Sequence, residues 1–396
     1  MRERLVIVSV AAGMVALIGC NDVNPAAQAP EQEAGTERLT SVVQLGDSIA
    51  SGEGTLYGYQ WDEASQTWTG GDVDAQWPPP YPDCHVSPDA YGNVVATYFG
   101  TQLHQFACTG ATFAAGITTP EMDGNDEMRP AQFGDWDAKT DLNEEYDDAA
   151  PQLVLITLGA DDLQFASIVE DCIKNGYKYY WHLADLECVD QNPGQSVQTK
   201  YVDVLPTVEK SYATLVKWIQ DRATANNAPQ PKVVFTNYAN PFPPNGAECN
   251  DTNWLYPEQL KYLSSLVDQI NGIIMQTITG LNDPNVAVAD ISGAYVVTDT
   301  PHTWCTDAPW AYGLSIYSVS SPSSFWSQAP FHPTPDGQES IAEHVIPVVH
   351  QWFAQPNLPE TPPPSTLPIT DPDPTTSEPE VAPTTAEPNV APTTTD

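Results

Sequence analysis

The sequence is poor in basic residues. Only 13 Lys and Arg stand against 52 Asp and Glu, the formal net charge is −39, and no lysine or arginine follows Lys261. A polyanionic surface repels nucleic-acid phosphates, so the composition excludes DNA and RNA as partners. It also repels anionic membrane surfaces, and we interpret the charge mainly as an aid to solubility.

The chain also lacks closely spaced cysteine pairs. None of its seven cysteines forms a CxxC pair and its histidines are scattered, so the pattern argues against a metal site. Setting Cys20 aside leaves six cysteines, and an even number in an exported chain indicates three disulfides whose pairing the count alone leaves open. These are Cys84, Cys108, Cys172, Cys188, Cys249 and Cys305.

A targeting segment is indicated at the N-terminus. Arg2 and Arg4 precede an apolar run, Leu5–Gly19, that stops at Cys20. The run is too short and too early for a spanning helix, and we interpret residues 1–19 as a signal peptide. Its end, LIGC, resembles a bacterial lipobox, in which the cysteine carries lipid after cleavage; an ordinary signal peptide is the alternative. We expect an extracytoplasmic lipoprotein, at the bacterial cell surface or in the periplasm, or a secreted protein.

Two further segments are too polar to fold. Residues 20–39 are rich in Ala, Pro and Glu, and we interpret them as a flexible tether. Residues 356–396 are rich in Pro and Thr and contain a near-repeat, EPEVAPTT followed by EPNVAPTT. They cannot bury enough apolar surface, so we predict a disordered, extended tail. Between them lies one predicted domain, residues 40–355.

Four short runs rich in β-branched residues indicate strands buried on both faces, as in a parallel sheet. They are Ser41–Leu45, Gln152–Leu158, Lys232–Asn237 and Val286–Asp290. Helical patterns cover residues 202–225, 257–278 and 337–353, the second with apolar residues mostly three or four apart. Strands alternating with helices predict an α/β fold, a three-layer α/β/α sandwich around a mostly parallel, doubly wound sheet.

Chemically useful residues follow the first two strands. Ser48 comes just after the first strand, in VVQLGDSIASGEG, and Asp161 and Asp162 come just after the second. Ligands of doubly wound sheets bind at the carboxyl ends of the strands. A serine hydroxyl becomes a good nucleophile only when a base takes its proton. His332, in FHPTPDG, is the candidate base because the final helix would hold its loop in place.

Four motifs in order connect these residues to a known family. They are GDS, CTGA (Cys108–Ala111), LGADDLQF (Leu158–Phe165) and FHPTPDG (Phe331–Gly337). In this order they resemble the SGNH, or GDSL-type, hydrolases over about residues 40–355. The resemblance implies the flavodoxin-like SGNH hydrolase fold and hydrolysis of carboxylic esters. The chain has no GxSxG motif, which argues against the α/β-hydrolase alternative.

The six cysteines are similar to those of the secreted actinobacterial esterase and lipase branch, which has three sequential disulfides. This resemblance implies the pairs Cys84–Cys108, Cys172–Cys188 and Cys249–Cys305. It implies no metal and no organic cofactor, with a small-molecule or lipid ester as substrate. We expect a monomer that meets the membrane only through its N-terminal lipid.

The resemblance also implies roles for single residues. Ser48 matches the nucleophile and His332 the general base. The backbone N–H groups of Ser48 and Gly110 match two donors of the oxyanion hole, which stabilises the charge of the tetrahedral intermediate. Asp47 would brace the turn that carries the serine, although it is almost as readily interpreted as a simple turn residue.

Two positions depart from the family pattern. The aspartate usually found three residues before the histidine is Ala329 here, and its backbone carbonyl could orient the imidazole instead, giving a Ser–His dyad. The asparagine of the oxyanion hole is replaced by Asp161. An ionised carboxylate only accepts hydrogen bonds and would repel the oxyanion, whereas a protonated one could donate. Asp161 is therefore a doubtful third donor.

The sequence thus predicts an extracytoplasmic serine esterase or lipase that works through a Ser–His centre and a covalent acyl-enzyme. Asp161 and the missing aspartate before His332 motivate an alternative of another class. In that alternative the domain is a lipid-anchored binding protein that keeps the pocket of an SGNH hydrolase but has lost turnover.

Overall fold

The computed structural model describes residues 35–62, 64, 67–70, 84–119, 121–122, 128–129, 131–132, 151–180, 188, 197–243, 255–304, 306–313 and 330–354. The predicted signal peptide, most of the predicted tether, the lipidation at Cys20 and the predicted tail at 356–396 lie outside the described residues and stay predictions.

A five-stranded parallel sheet forms the centre of the fold. Its strands are β1 (Val42–Gly46), β2 (Leu103–Gln105), β3 (Leu153–Thr157), β4 (Lys232–Thr236) and β5 (Val286–Ala289). All neighbours pair in parallel, in the order β2-β1-β3-β4-β5. This is the flavodoxin-like order of a doubly wound sheet, which confirms the predicted α/β class.

Three of the four predicted buried strands belong to the core, whereas β5, at the edge of the sheet, is buried only at Ala289. Every residue of β1 and β3 is buried, as are four of the five residues of β4. These strands have helices on both faces, so apolar side chains are favoured at every position rather than at alternate ones. The edge strand β2 is only half-buried and carries His104 and Gln105, so it lacked the apolar signal and was not predicted.

Helices cover both faces of the sheet. They are α1 (Ser48–Ser51), α2 (Tyr91–Tyr98), α3 (Phe165–Tyr180), α4 (Val197–Ala225), α5 (Pro257–Gly280) and α6 (Pro335–Val349), with a 3₁₀ turn at Thr55–Tyr57. Helix α5 starts with proline in its first turn and buries Leu260, Leu263, Val267, Ile270 and Ile274, which lie on one face at helical spacing. No helix in the described part of the chain is both long and apolar enough to cross a membrane.

The side chains on each face of the sheet show which helices cover that face. The Tyr91 hydroxyl of α2 lies 2.9 Å from Thr157 Oγ1, which lies 2.7 Å from Thr236 Oγ1. The residue of β4 just before Thr236 is Phe235. Its ring packs edge-on against that of Tyr212 of α4, with ring centroids 5.4 Å apart. Neighbouring residues of a strand point to opposite faces, so α2 and α4 lie on opposite sides of the sheet. Helix α6 packs beside α2, and α5 beside α4.

Short strand pairs lie outside the central sheet. They are Tyr59–Asp62 with Thr67–Gly70, Glu121–Met122 with Met128–Arg129, and Val296–Val297 with Thr300–Pro301, all antiparallel. A fourth pair, Glu37–Arg38 with Phe353–Ala354, is parallel. The amide of Gly35 also donates to the carbonyl of His350 at 2.8 Å, and Leu39 is buried. The fold therefore includes the last five residues of the predicted tether, because pairing with the end of the domain satisfies their backbone groups.

Candidate active site

The site lies where the strand order reverses. Strands β1 and β3 are neighbours in the sheet, but their connections leave in opposite directions, to β2 on one side and to β4 on the other. A crevice opens at such a switch point beyond the carboxyl ends of the strands. Ser48 follows β1 and Asp161 follows β3, so the topology brings both to this crevice.

The turn that carries Ser48 is fixed by its backbone. Gly46 has φ of 137°, and a Cβ there would lie 2.1 Å from the carbonyl oxygen of Thr157, so the turn requires glycine. Asp47 N donates to the same Thr157 oxygen at 2.9 Å. Gln132 closes a two-bond clamp on Gly46, accepting from its N–H at 2.7 Å and donating to its carbonyl at 2.8 Å. Ser48 is thereby held at the edge of the crevice.

Ser48 and His332 are brought together from distant parts of the chain. Ser48 Oγ lies 2.7 Å from His332 Nε2. The histidine loop is tied down by two backbone bonds, from Phe331 N to the Tyr312 carbonyl at 2.8 Å and from Tyr312 N to the His332 carbonyl at 3.0 Å. Ala329, whose carbonyl was predicted to orient the imidazole, lies outside the described residues, so that contact stays a prediction.

Aromatic packing also fixes the histidine loop. Phe331 has φ of 67°, a left-handed conformation that is rare and strained for a bulky residue. Its ring centroid lies 5.0 Å from that of Phe242 and 4.8 Å from that of Trp304. Packing of these buried rings offsets the backbone strain. The strained residue directly precedes His332, and the cluster therefore determines where the imidazole points.

The two residues expected to supply backbone donors lie at the same crevice. Ser48 and Gly110 both line the cavity, and neither amide donates to a protein acceptor within the described ranges. The Gly110 segment is anchored by the Cys84–Cys108 disulfide and by a bond from Thr109 N to the Cys84 carbonyl at 3.2 Å. Their amides therefore stay the predicted donors for the oxyanion of the tetrahedral intermediate.

The structure contains two of the three expected disulfides. Cys84 is bonded to Cys108, and Cys172, in α3, is bonded to Cys188. The third expected pair, Cys249–Cys305, lies outside the described residues. The first bridge bears directly on the site because Cys108 begins the CTGA segment that carries the Gly110 amide.

The loop after β3 brings Asp161 to the crevice. Gly159 has φ of 122°, and a Cβ there would lie 2.5 Å from the Tyr212 hydroxyl, so the loop can begin only with glycine. Leu163 N donates to the Gly159 carbonyl at 3.1 Å and closes the turn. Asp161 lines the cavity together with Ser48. Asp161 thus belongs to the cavity lining, and its part in the oxyanion hole stays a prediction.

The neighbouring acid, Asp162, points elsewhere. Both of its carboxyl oxygens accept from Phe113 N at 3.1 Å. Burial raises the pKa of Asp162 from 3.8 to about 6, while the bond from Phe113 acts in the opposite direction. Asp162 therefore ties the loop after β3 to the segment after CTGA and does not line the cavity.

Asp47 joins two loops through its side chain. It is 1% exposed, and its Oδ1 accepts from Ile49 N at 3.0 Å as the N-cap of α1. Its Oδ2 accepts from the Tyr238 hydroxyl at 2.5 Å, and that hydroxyl accepts from Ala160 N at 2.9 Å. Burial, and secondarily the negative charge of Asp161, raise the pKa of Asp47 well above its ordinary value.

A cavity of about 390 Å³ begins at Ser48 and His332 and runs between α3 and α5. Its walls are mostly apolar, formed among others by Phe165, Val169, Ile173, Val267, Ile270 and Phe331. The titratable residues of its lining are Asp47, Asp161, Glu170, Tyr238 and His332. Within the described residues, no group of three or more His, Cys, Asp or Glu is placed to hold a metal ion.

Several residues that support the site were not predicted. Gln132 and Tyr238 hold the Ser48 turn through single long-range contacts that leave no local pattern. Glu53 carried a usable signal, because it is an acidic residue inside the glycine-rich turn. It is fully buried and shares a hydrogen bond with Nδ1 of His85, next to Cys84. A carboxylate in that position needs a basic partner, and the sequence offered no means of choosing one.

A family comparison matches this arrangement. The model of the GDSL-like lipase/acylhydrolase family matches residues 45–339, which extend from the Ser48 turn into α6. The chain belongs to the GDSL-like lipase/acylhydrolase family. The resemblance to the SGNH, or GDSL-type, hydrolases that the four motifs indicated is therefore confirmed.

Solved structures that resemble this GDSL hydrolase include three bacterial esterases and lipases. An extracellular lipase from Streptomyces rimosus is 19% identical with a TM-score of 0.42, covering 78% of this chain and 98% of its own. Phospholipase A1 from Streptomyces albidoflavus is 19% identical with a TM-score of 0.44 and the same coverage. An aryl esterase from M. smegmatis is 11% identical with a TM-score of 0.35, covering 79% and 100%. No match to a curated protein was found.

Proposed function

We propose that the protein is an extracytoplasmic serine esterase of the lipase type, which hydrolyses carboxylic esters through a covalent acyl-enzyme. The observation that carries the proposal is the 2.7 Å contact between Ser48 Oγ and His332 Nε2 at the mouth of an apolar cavity. A nucleophile within hydrogen-bond reach of a base is the minimal arrangement for acyl transfer.

The reaction follows from the positions of these groups. Ser48 Oγ attacks the ester carbonyl carbon while His332 Nε2 takes the hydroxyl proton. The resulting oxyanion accepts hydrogen bonds from the amides of Ser48 and Gly110. The intermediate collapses to an acyl-serine, and His332 gives its proton to the leaving alcohol. Water, activated by the neutral imidazole, then attacks the acyl-serine and releases the carboxylic acid and free Ser48.

Asp161 weakens this centre at neutral pH. The missing third donor costs roughly 3–4 kcal/mol of transition-state stabilisation, a factor of about a hundred to a thousand. A negative carboxylate adds repulsion of the oxyanion. Protonation would restore a donor, but the acidity required would also protonate His332, which must be neutral to act as the base. The chain is therefore expected to be a slow esterase.

The cavity supports an acyl chain as the group bound beside Ser48. Its walls from α3 and α5 carry Val169, Ile173, Val267 and Ile270. Each methylene group buried against such walls contributes about 0.8 kcal/mol. The lining contains no lysine or arginine, so an uncharged ester suits the cavity better than an anionic one.

The proposed location is outside the cytoplasm, with a lipid on Cys20 and a single chain per site. The two disulfides support an oxidising compartment, and the LIGC sequence supports the anchor. A monomer is sufficient, because Ser48, Gly110 and His332 all come from one chain.

The second candidate function is a lipid-anchored binding protein that uses the same cavity without turnover. The observation that favours it is the position of Asp161 in the cavity lining, where ionised it would oppose the oxyanion. The cavity would then hold an acyl chain or an intact ester.

A covalent serine probe separates the two functions. A fluorophosphonate is expected to label the full chain stoichiometrically across pH 5 to 9, and labelling is expected to vanish in Ser48→Ala. The matched control is Ser51→Ala, a serine of the same short helix. Absence of labelling in the folded wild type over the whole range would favour the binding protein, and equal labelling of wild type and Ser48→Ala would contradict Ser48 as the nucleophile.

A further inference from the structure

The Tyr238 hydroxyl stands between the two loops that form the mouth of the cavity. It lies 2.5 Å from Asp47 Oδ2 and 2.9 Å from Ala160 N. An amide N–H can only donate, so the hydroxyl oxygen must accept from Ala160 and its own proton must go to Asp47. This order of bonds connects the turn that carries Ser48 with the loop that carries Asp161.

Tyr238 is itself held rigidly. Asn271 of α5 accepts from Tyr238 N at 2.8 Å and donates to the Tyr238 carbonyl at 2.7 Å. The tyrosine is 8% exposed and its side chain lines the cavity. Two bonds to the backbone of one residue leave its ring little freedom, so the hydroxyl has a fixed position relative to the sheet and to α5.

We propose that Tyr238 is a positioning residue for ester hydrolysis, whose hydroxyl holds the Ser48 turn and the Asp161 loop at the spacing that one substrate carbonyl requires. The inference rests on the proposed function. The attacking oxygen and one donor amide belong to the Ser48 turn, while the opposite wall belongs to the Asp161 loop. Small displacements between such groups reduce the rate strongly, because attack and charge stabilisation must act on one carbonyl.

The connection depends on the charge of Asp47. Its Oδ1 accepts from Ile49 N and its Oδ2 accepts from Tyr238. Both oxygens are therefore used as acceptors, and the carboxylate form makes both bonds charge-assisted. Protonation of Asp47 in acid removes that charge and weakens the connection.

The surroundings of Asp47 set the pH at which this happens. Burial and the negative charge of Asp161 raise the pKa of Asp47, and the Tyr238 bond lowers it. The other titratable groups that interact with it are Tyr91 of α2 and Tyr212 of α4, whose own raised pKa values keep them neutral below pH 10. The decline of kcat at low pH, the acid limb of the rate profile, should therefore respond to changes in the bonds of Asp47.

The experiment measures kcat and KM for p-nitrophenyl butyrate from pH 4.5 to 9 with the full chain. Tyr238→Phe is expected to lower kcat about 10- to 100-fold, because it removes a hydrogen bond to a charged group. KM should change less than about twofold, since phenylalanine keeps the aromatic ring in the cavity lining. The acid limb should move to higher pH, because Asp47 loses a bond that favours its ionised form.

Tyr91→Phe is the matched control. It also removes a buried tyrosine hydroxyl, one that lies 2.9 Å from Thr157 Oγ1, but it touches neither loop. Its kcat is expected to stay within about threefold of the wild-type value, and its acid limb should not move. A loss in Tyr91→Phe equal to that in Tyr238→Phe would mean that any buried hydroxyl in this core has the same effect, and would overturn the proposal.

A fluorotyrosine variant keeps the test decisive if Tyr238→Phe does not fold. 3-Fluorotyrosine at position 238 retains the hydroxyl and makes it a stronger donor, so the acid limb should move to lower pH. If the acid limb of the fluorotyrosine variant does not move, or if a folded Tyr238→Phe variant keeps the wild-type kcat, the positioning role is overturned. The proposed esterase function would be unaffected by either result. If wild type and Ser48→Ala are equally inert, the proposed function fails and the positioning role fails with it.

Discussion

The two sides of the cavity mouth differ in what they contribute. The side built on β1 offers the Ser48 hydroxyl and backbone amides, whereas the side built on β3 offers the side chain of Asp161. Backbone donors persist under substitution as long as the turn keeps its shape, which Gly46 and the Gln132 clamp ensure. A side-chain donor is lost through a single change. The β1 side thus retains the serine hydroxyl and its backbone donors, while the β3 side carries a carboxyl group in place of an amide donor.

The largest effect is expected on the first side. His332→Ala should lower kcat for p-nitrophenyl butyrate by about 10⁴-fold or more, because Ser48 loses the base that takes its proton. His302→Ala serves as the control, since His302 stacks on Trp310 away from the cavity lining, and it should stay within about twofold. A His332→Ala enzyme that kept a tenth of the wild-type rate would contradict the Ser–His centre.

The second side should respond in the opposite direction. Asp161→Asn is expected to raise kcat about 10- to 100-fold at pH 8, because an amide donor replaces a carboxylate that repels the oxyanion.

A control for net charge sharpens this test. Asp221→Asn makes the same change of one charge on the surface of α4, in an exposed pair with Lys217, and should leave kcat unchanged within about twofold. An unchanged or slower Asp161→Asn would show that the acid does not face the oxyanion. Activity that appears only in Asp161→Asn would identify the natural protein as the binding form.

The last expected effect is on the stability of the second side rather than on the rate. Burial raises the pKa of Asp162 from 3.8 to about 6. The folded protein therefore binds this proton more tightly than the unfolded chain, and its stability falls as pH rises from about 4 to about 6. The difference corresponds to about 3 kcal/mol at neutral pH. Asp162→Asn, which removes the titration, should gain thermal stability over wild type at pH 8 and much less at pH 4.5.

Thermal unfolding at the two pH values checks this expectation. Asp268→Asn is a suitable control, because the Asp268 carboxylate bonds Asn240 at an exposed site on α5, and its stability difference from wild type should vary little with pH. An Asp162→Asn difference that is equal at both pH values would contradict the cause assigned to the raised pKa.

The sequence predicted the reacting residues of both sides better than the residues that support them. Ser48 and His332 were accessible because an apolar strand ends at one and a helix begins just after the other, both of which are local patterns. The substitution at Asp161 could likewise be identified at its motif position.

The supporting residues depend on contacts that no local pattern encodes. Tyr238 lies 191 residues from Asp47, and its residue type is equally suited to an ordinary core position. Phe331 adopts a left-handed backbone that its bulk disfavours, so propensity predicts against the observed conformation. Strand β2 was missed because an edge strand needs less apolar character than a central one. The sequence thus indicated the reacting atoms, and only packing revealed what holds them.

The parallel pairing of Glu37–Arg38 with Phe353–Ala354 has a mechanical consequence. In a parallel pair, the start of the first strand and the end of the second lie at opposite ends. A force that pulls residues 35 and 354 apart would therefore load the bonds between these strands together, in shear, rather than open them one after another. The ends of the hydrolase domain would resist a steady pull better than so short a ladder suggests.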